Sequence, residues 1–155
     1  MPAQMLKEFL DAQGVEYVVI THSPAFTAQK IAASAHIRGK ELAKTLIVKI
    51  DGRMAMAVLP ASQKADLKLL CETAHAQNVE LASESEFRDR FPGCAPGAMP
   101  PFGNLYGMDV YVAASLAEDE EIAFNAGSFT ELVRMAYRDF ERLVQPKVLS
   151  FAVGV

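Results

Sequence analysis

The spacing of apolar residues predicts a chain in which helices and strands are interspersed. Met5, Leu6, Phe9 and Leu10 recur at helical spacing and Gly14 stands where a helix would terminate, which predicts a helix over residues 2–13. Glu16-Tyr17-Val18-Val19-Ile20 is a short β-prone run, and His22-Ser23-Pro24 interrupts it. Thr27 is placed to cap a helix that carries Ile31 and Ala35 and stops near Gly39. Next come Thr45-Leu46-Ile47-Val48-Lys49-Ile50 and Met54-Ala55-Met56-Ala57-Val58-Leu59, flanking Asp51-Gly52. Asp-Gly tolerates the positive φ angles of a type I′ turn, so the pair reads as a β-hairpin. Both runs are nearly continuous in apolar residues, which predicts central strands covered on both faces by helices.

Farther along, Leu67, Leu70, Cys71 and Ala74 mark one face of a helix over 64–76. Asn78-Val79-Glu80-Leu81 reads as a strand, and Ser83 as the cap of a short helix containing Phe87. Between Pro92 and Gly103 seven of twelve residues are Pro or Gly, so no regular element is expected there. Strands follow at 109–113 and 121–126, with Glu118-Asp119-Glu120-Glu121 between them read as a solvated bend. Phe129, Leu132, Val133, Ala136, Tyr137 and Phe140 fit one helix over 128–144, and Ser128 with Glu131 forms a capping-box pattern at its start. No internal repeat or interdomain linker is visible. The expectation is one mixed α/β domain.

Composition narrows the classes. The 155 residues suit a single domain, and 51% hydrophobic content excludes intrinsic disorder. No apolar run approaches the ~20 residues that cross a bilayer, and Lys7 and Glu8 come too early for a signal peptide, so a cytoplasmic protein with no membrane partner is expected. Two cysteines, Cys71 and Cys94, make no disulfide framework. The net charge of −4 argues against DNA as a partner and confines any RNA contact to a local patch. Such a patch exists in sequence: residues 30–53 hold Lys30, Arg38, Lys40, Lys44, Lys49 and Arg53 against only Glu41 and Asp51. It reads either as a grip on the phosphate-bearing end of a ligand or as a solvated surface strip.

The Pro/Gly loop is the second candidate. Prolines fix φ and glycines allow close approach, so such a segment can hold backbone N–H groups rigidly toward a carbonyl or oxyanion. It can equally be a plain surface crossover. Cys71 and His75 stand four residues apart on one helix, yet no third ligand has a matching spacing, so no metal is expected. Nucleophile-elbow, Walker and dinucleotide motifs are missing, and no cofactor is expected. His22, beside the Ser-Pro break, is the histidine read as a candidate. An enzyme of this composition would work without a side-chain nucleophile.

Five segments in order, His22-Ser23-Pro24-Ala25, Lys44-Thr45-Leu46-Ile47-Val48, Ala57-Val58-Leu59-Pro60-Ala61, Gly97-Ala98-Met99-Pro100-Pro101-Phe102-Gly103 and Phe124-Asn125-Ala126-Gly127-Ser128, resemble the YbaK/EbsC family. That family is the aminoacyl-tRNA deacylase domain also found inserted in bacterial prolyl-tRNA synthetases, and the resemblance spans roughly residues 15–145. It implies a curled mixed β-sheet, a partial barrel, flanked by helices. It also implies a strand at about 130–136 and a helix from 138, in place of the single helix that periodicity predicts.

The function implied is trans-editing, the hydrolysis of the ester joining a wrong, small amino acid such as Ala, Ser, Cys or Pro to the 3′ end of a tRNA. The partners implied are that 3′ acceptor end and an aminoacyl-tRNA synthetase. By the same resemblance the key lysine of the family falls on Lys44, and its Gly-x-x-x-Pro loop falls on Gly97 to Pro101, with Lys44, Gly97 and Pro101 as the catalytic set. His22, Thr45, Ala98, Met99, Pro100, Phe102, Gly103, Asn125, Gly127 and Ser128 would contact the substrate. Some alanine-specific editors of the family carry Asn after the lysine and His near the C-terminal strands, where this chain has Thr45 and Phe129. The rival reading is a non-catalytic module that holds a tRNA 3′ end or a small ligand, and a third is hydrolysis of another activated ester or amide.

Overall fold

The computed structural model describes residues 2–21, 41–95 and 97–154. The helix expected between Thr27 and Gly39 lies outside the described residues. Helix α1 spans Pro2–Ala12 and buries Leu6 and Leu10 completely, and β1 follows at Tyr17–Thr21. The hairpin is β2, Ala43–Ile50, and β3, Arg53–Pro60, in antiparallel register from Ala43 opposite Pro60 to Ile50 opposite Arg53. Its two-residue turn has positive φ at both Asp51 (50°) and Gly52 (84°), as a type I′ turn demands. A short strand β4, Gln63–Ala65, leads to helix α2, Leu67–Thr73, capped by the Asp66 carboxylate, which accepts from the Leu69 N–H at 3.0 Å. Then come β5, Val79–Leu81, and a short helix α3, Glu84–Phe87. The expected capping pattern at α3 is realised: the Ser83 N–H donates to Glu86 Oε1 at 2.9 Å.

From Phe91 to Phe102 the described backbone forms no helix or strand. A 3₁₀ turn at Gly103–Leu105 precedes β6, Asp109–Ala113, and a one-turn helix α4, Ala114–Ala117. The chain closes with β7, Glu121–Asn125, β8, Glu131–Ala136, helix α5, Tyr137–Val144, and the strands β9, Lys147–Leu149, and β10, Ala152–Gly154.

The strands form a mixed five-stranded sheet in the order β5-β2-β3-β6-β9, an antiparallel three-stranded sheet β1-β8-β7, and the ribbon β10-β4. One parallel bridge, Leu42 to Ala123, joins the start of β2 to β7 and so ties the two larger sheets together. Alternation along β2 and β3 feeds two cores. Ala43, Ile47, Met56 and Val58 pack with Leu6, Leu10, Phe102, Phe124 and Phe140, while Val48, Ala55, Ala57 and Leu59 pack with Leu70, Tyr111 and Phe151. The hairpin is therefore central and covered on both faces. Helix α2 covers one face, but a second sheet, β1-β8-β7, shares the other with α1 and α5.

Three local readings need correction. The helix expected over 64–76 begins only at Leu67, because Gln63–Ala65 pair with β10. The acidic run is not wholly solvated, since Asp119 is 7% exposed. Residues 131–136 form a strand, as the family resemblance implies and the helical pattern did not. Val133 and Met135 point into the core while β1 and β7 hydrogen-bond both edges, so two-sided pairing overrides an apolar spacing that fits either period. Strands β9 and β10 were not anticipated at all.

Candidate active site at the start of the central hairpin

Lys44 is the second residue of β2, opposite Leu59. Leu42, just before the strand, bridges Ala123 and packs in a small cluster with Ala123, Leu132, Ile20 and Ala61. Beyond that bridge β2 and β7 run in the same direction. Alternation then places Lys44 on the face of Leu42 and Asn125 on the face of Ala123, so both residues rise from the same apolar floor. Lys44 is half-buried and, among the described residues, makes no hydrogen bond or ion pair. Burial, and secondarily the charge of Lys64 on β4, draws its ammonium below the usual lysine value.

The Pro/Gly loop is fastened to the turn between β7 and β8. The Ala95 N–H donates to the Gly127 carbonyl at 2.9 Å, and the Gly127 N–H donates back to the Ala98 carbonyl at 2.8 Å. These two bonds hold Gly97 beside Gly127, Ser128 and Phe129. Gly97 is exposed with φ of +88°, and a Cβ there would meet the Phe129 ring at 3.3 Å. Its N–H donates to the Met99 thioether at 3.2 Å, a weak acceptor that a carbonyl oxygen would outcompete. The Ala98 N–H is already used, closing a turn on the Ala95 carbonyl at 2.9 Å. The Gly97 N–H is thus held only by a weak partner. Ser128 and Thr130 share a hydroxyl contact of 3.0 Å at the tip of the same turn.

The structure places Lys44 and Asn125 beside the bridge between β2 and β7 and fastens Gly97 beside Gly127 and Ser128, and it sets other candidates apart from them. Thr45 is 5% exposed and turns to the opposite face of β2, between Ala43 and Ile47. The side chains of Ala98, Met99, Pro100 and Pro101 are buried beneath the loop. Phe102 is a core residue: it is fully buried, with Phe9, Phe124 and Phe140 rings 5.4–6.1 Å from its own. Gly103 is glycine for packing, since a Cβ there would lie 2.3 Å from the Met108 carbonyl oxygen and 2.6 Å from a Val110 methyl. The sequence reading extended the site into these residues because a Pro/Gly run looks uniform until burial divides it. His22 lies outside the described residues, as do Lys30, Arg38 and Lys40 of the basic segment. Lys64 was missed for a definite reason, because it falls outside that segment and was assigned to a helix.

Among the described residues no group of three or more His, Cys, Asp or Glu could hold a metal ion. The Cys71 thiol donates instead to the Ala76 carbonyl at 3.2 Å. No described helix is long and apolar enough to cross a membrane. A hollow of about 710 Å³ between α1, β1 and α5 holds Arg134 and Arg138 among Asp11, Glu16, Glu121 and Asp139. Its four carboxylates outnumber its two arginines, and none of the candidate residues lines it.

Residues 22–143 match the family described as the aminoacyl-tRNA editing domain. The multifunctional Ser/Thr-tRNA deacylase ProXp-y of Escherichia coli, in strains K12 and O157:H7, is 34% identical over 156 residues, covering 96% of this chain and 91% of that protein. A crystal structure of a candidate trans-editing enzyme for prolyl tRNA synthetase superposes with a TM-score of 0.83 at 18% identity, covering 99% of this chain and 98% of the other. That structure shows the fold to be the same.

Proposed function

The chain belongs to the aminoacyl-tRNA editing domain family, and we propose that it is a trans-acting deacylase that clears Ser or Thr from mischarged tRNA, the two amino acids in its relative's name. The single observation that carries the reading is a half-buried Lys44, without a carboxylate partner among the described residues, at the junction of the two sheets, with the exposed Gly97 backbone fastened to the turn that follows β7.

An aminoacyl ester is already activated by its ammonium group and by the adjacent ribose hydroxyl, so positioning and electrostatics can supply most of the barrier reduction. Lys44 holds the phosphate end of the terminal adenosine as a compact point charge. The Gly97 N–H leaves the Met99 sulfur for the ester carbonyl oxygen and stabilises the negative charge that develops there. A water oxygen adds to the carbonyl carbon and the bond to the ribose oxygen breaks. The water's proton passes to that ribose oxygen through the neighbouring hydroxyl, releasing free amino acid and intact tRNA. Asn125 and Ser128 line the amino-acid side of the corner. A site that hydrogen-bonds a substrate hydroxyl rejects an analogue lacking it by roughly 10⁴-fold, far more than a missing methylene would give. Polar lining thus favours Ser and Thr over Ala.

The reaction takes place in the cytoplasm, on tRNA released by a synthetase. Incubating the protein with Ser-, Thr-, Ala- and Pro-charged tRNA and following ester loss tests the reading. Turnover of the Ser and Thr esters is the expected result. Saturable binding with every ester intact would instead make the chain a binding module.

A further inference from the structure

A second lysine belongs to the same corner. Strand β3 ends at Pro60, opposite Ala43, and the Ala61 N–H donates to the Leu42 carbonyl at 2.7 Å. After the turn at Ala61-Ser62 the chain enters β4, with Lys64 at its centre. The four residues from Pro60 to Lys64 reach at most about 13 Å, so Lys64 stays tethered to the start of β2. Strand β4 is itself fixed, by β10 through the Lys64–Val153 pairing and by the Ser115 hydroxyl, which donates to Gln63 Oε1 at 2.8 Å.

Lys64 is exposed and, like Lys44, has no ion-pair partner among the described residues. Burial first, and the charge of Lys64 second, lower the Lys44 ammonium from its ordinary value. Among the other described lysines, Lys68 and Lys147 also lack an ion pair, whereas Lys7 and Lys49 have carboxylate partners. Lys7 lies 3.2 Å from Glu131, and Lys49 lies 3.3 Å from Glu80 and 2.6 Å from Glu86. A protein with 19 acidic residues has carboxylates to spare, and keeping two cations together without one is uphill unless an anion joins them.

We propose that Lys64 is a second phosphate-binding residue beside Lys44, so that the phosphodiester preceding the 3′-terminal adenosine of the tRNA lies across both lysines. This rests on the deacylase reading and adds the path of the RNA strand: it crosses the β4 edge to reach the ester. Lys64 itself touches backbone phosphate, not the reacting atoms.

The test uses the full chain with Lys64→Ala, Lys64→Glu and Lys64→Arg. Binding of uncharged tRNA is titrated across a range of salt, beside steady-state deacylation of Ser- and Thr-charged tRNA. Lys64→Ala raises Kd and KM severalfold, Lys64→Glu raises them further, kcat stays unchanged, and Lys64→Arg restores the parent values. The slope of log affinity against log salt falls by about 0.7–1 in Lys64→Ala, the loss of one phosphate contact. In the same variant the Lys44 pKa, followed by NMR of its side-chain ammonium, moves up toward the ordinary lysine value. Unchanged affinity and salt slope in Lys64→Glu overturn the proposal, and so does a fall in kcat with KM unaltered. Because the binding arm uses uncharged tRNA, a parent protein that binds but does not hydrolyse would refute the deacylase reading while leaving this test intact.

Discussion

Two lysines on one strand have opposite surroundings. Lys49, near the hairpin end of β2, is clamped by Glu86 at 2.6 Å and Glu80 at 3.3 Å. Lys44, about 16 Å back along the strand at 3.3 Å per residue, meets no carboxylate among the described residues. It is half-buried, and burial first and the charge of Lys64 second lower its ammonium. The Lys49 arrangement is what folding alone selects, a surface cation neutralised by neighbours for a small gain. The Lys44 arrangement costs stability, through desolvation and like-charge repulsion, and in the proposed function the tRNA phosphate offsets that cost. Under the proposed function, the contrast separates a lysine that serves the fold from one that serves a ligand, although both sit in the same hairpin and the same basic stretch of sequence.

The largest effect that could break the contrast is on turnover. Lys44→Ala should lower kcat/KM for Ser- and Thr-charged tRNA by about 10²–10³, the loss typical of one electrostatic group at a reacting centre. Its urea midpoint should hold or rise, because an unpaired, partly desolvated charge has been removed. A variant that hydrolyses as fast as the parent would end the assignment. Next in size is Gly97→Ala. Its φ of +88° and the Phe129 ring 3.3 Å from the new Cβ act together, so unfolding should cost about 1–2 kcal/mol less, with deacylation falling in parallel. Adding Phe129→Ala relieves the contact but not the backbone strain, so the double variant should recover only part of the stability. Full recovery would mean that the ring alone dictates glycine there.

How much of this was legible beforehand depended on how local the signal was. The hairpin, its Asp51-Gly52 turn and the Ser83 cap are written in neighbouring residues, and each appears where the sequence puts it. The strand at Glu131–Ala136 was not legible from periodicity, because its apolar residues fit 3.6 as well as 2 and the deciding hydrogen bonds come from β1, more than a hundred residues earlier. Strands β4 and β10 form only with each other, so neither segment announces itself. The same logic governs the site. Lys44 and Gly97 were proposed from a family pattern, and Phe102 and Gly103 came with them because a Pro/Gly loop shows no burial until it is folded. Lys64 escaped notice because its meaning lies in a neighbour twenty residues away.

The smallest effect sharpens the comparison from the Lys49 side. Contact with Lys49, followed by hydrogen bonds from Ser83, draws the Glu86 carboxyl down to about 2, and the bonds to Glu86 and Glu80 raise the Lys49 ammonium. A carboxylate depressed on folding adds stability above its unfolded pKa of about 4.3 and loses it as pH falls toward the folded value. A raised lysine adds stability below its unfolded pKa of about 10.4 and loses it only as pH climbs through the higher folded value. Lys49→Met should therefore leave an unfolding midpoint that declines less steeply than the parent's between about pH 4.3 and 2. The flattening should be partial, because the Ser83 N–H still donates to Glu86. Glu86→Gln removes the acid-side dependence of this group altogether. Water reaches both groups, with 36% of the Glu86 side chain and 24% of the Lys49 side chain exposed, so the midpoint shifts at neutral pH should be slight, and deacylation by either variant should match the parent. If Lys49→Met lost activity on the scale of Lys44→Ala, the two ends of the strand would not be doing different work.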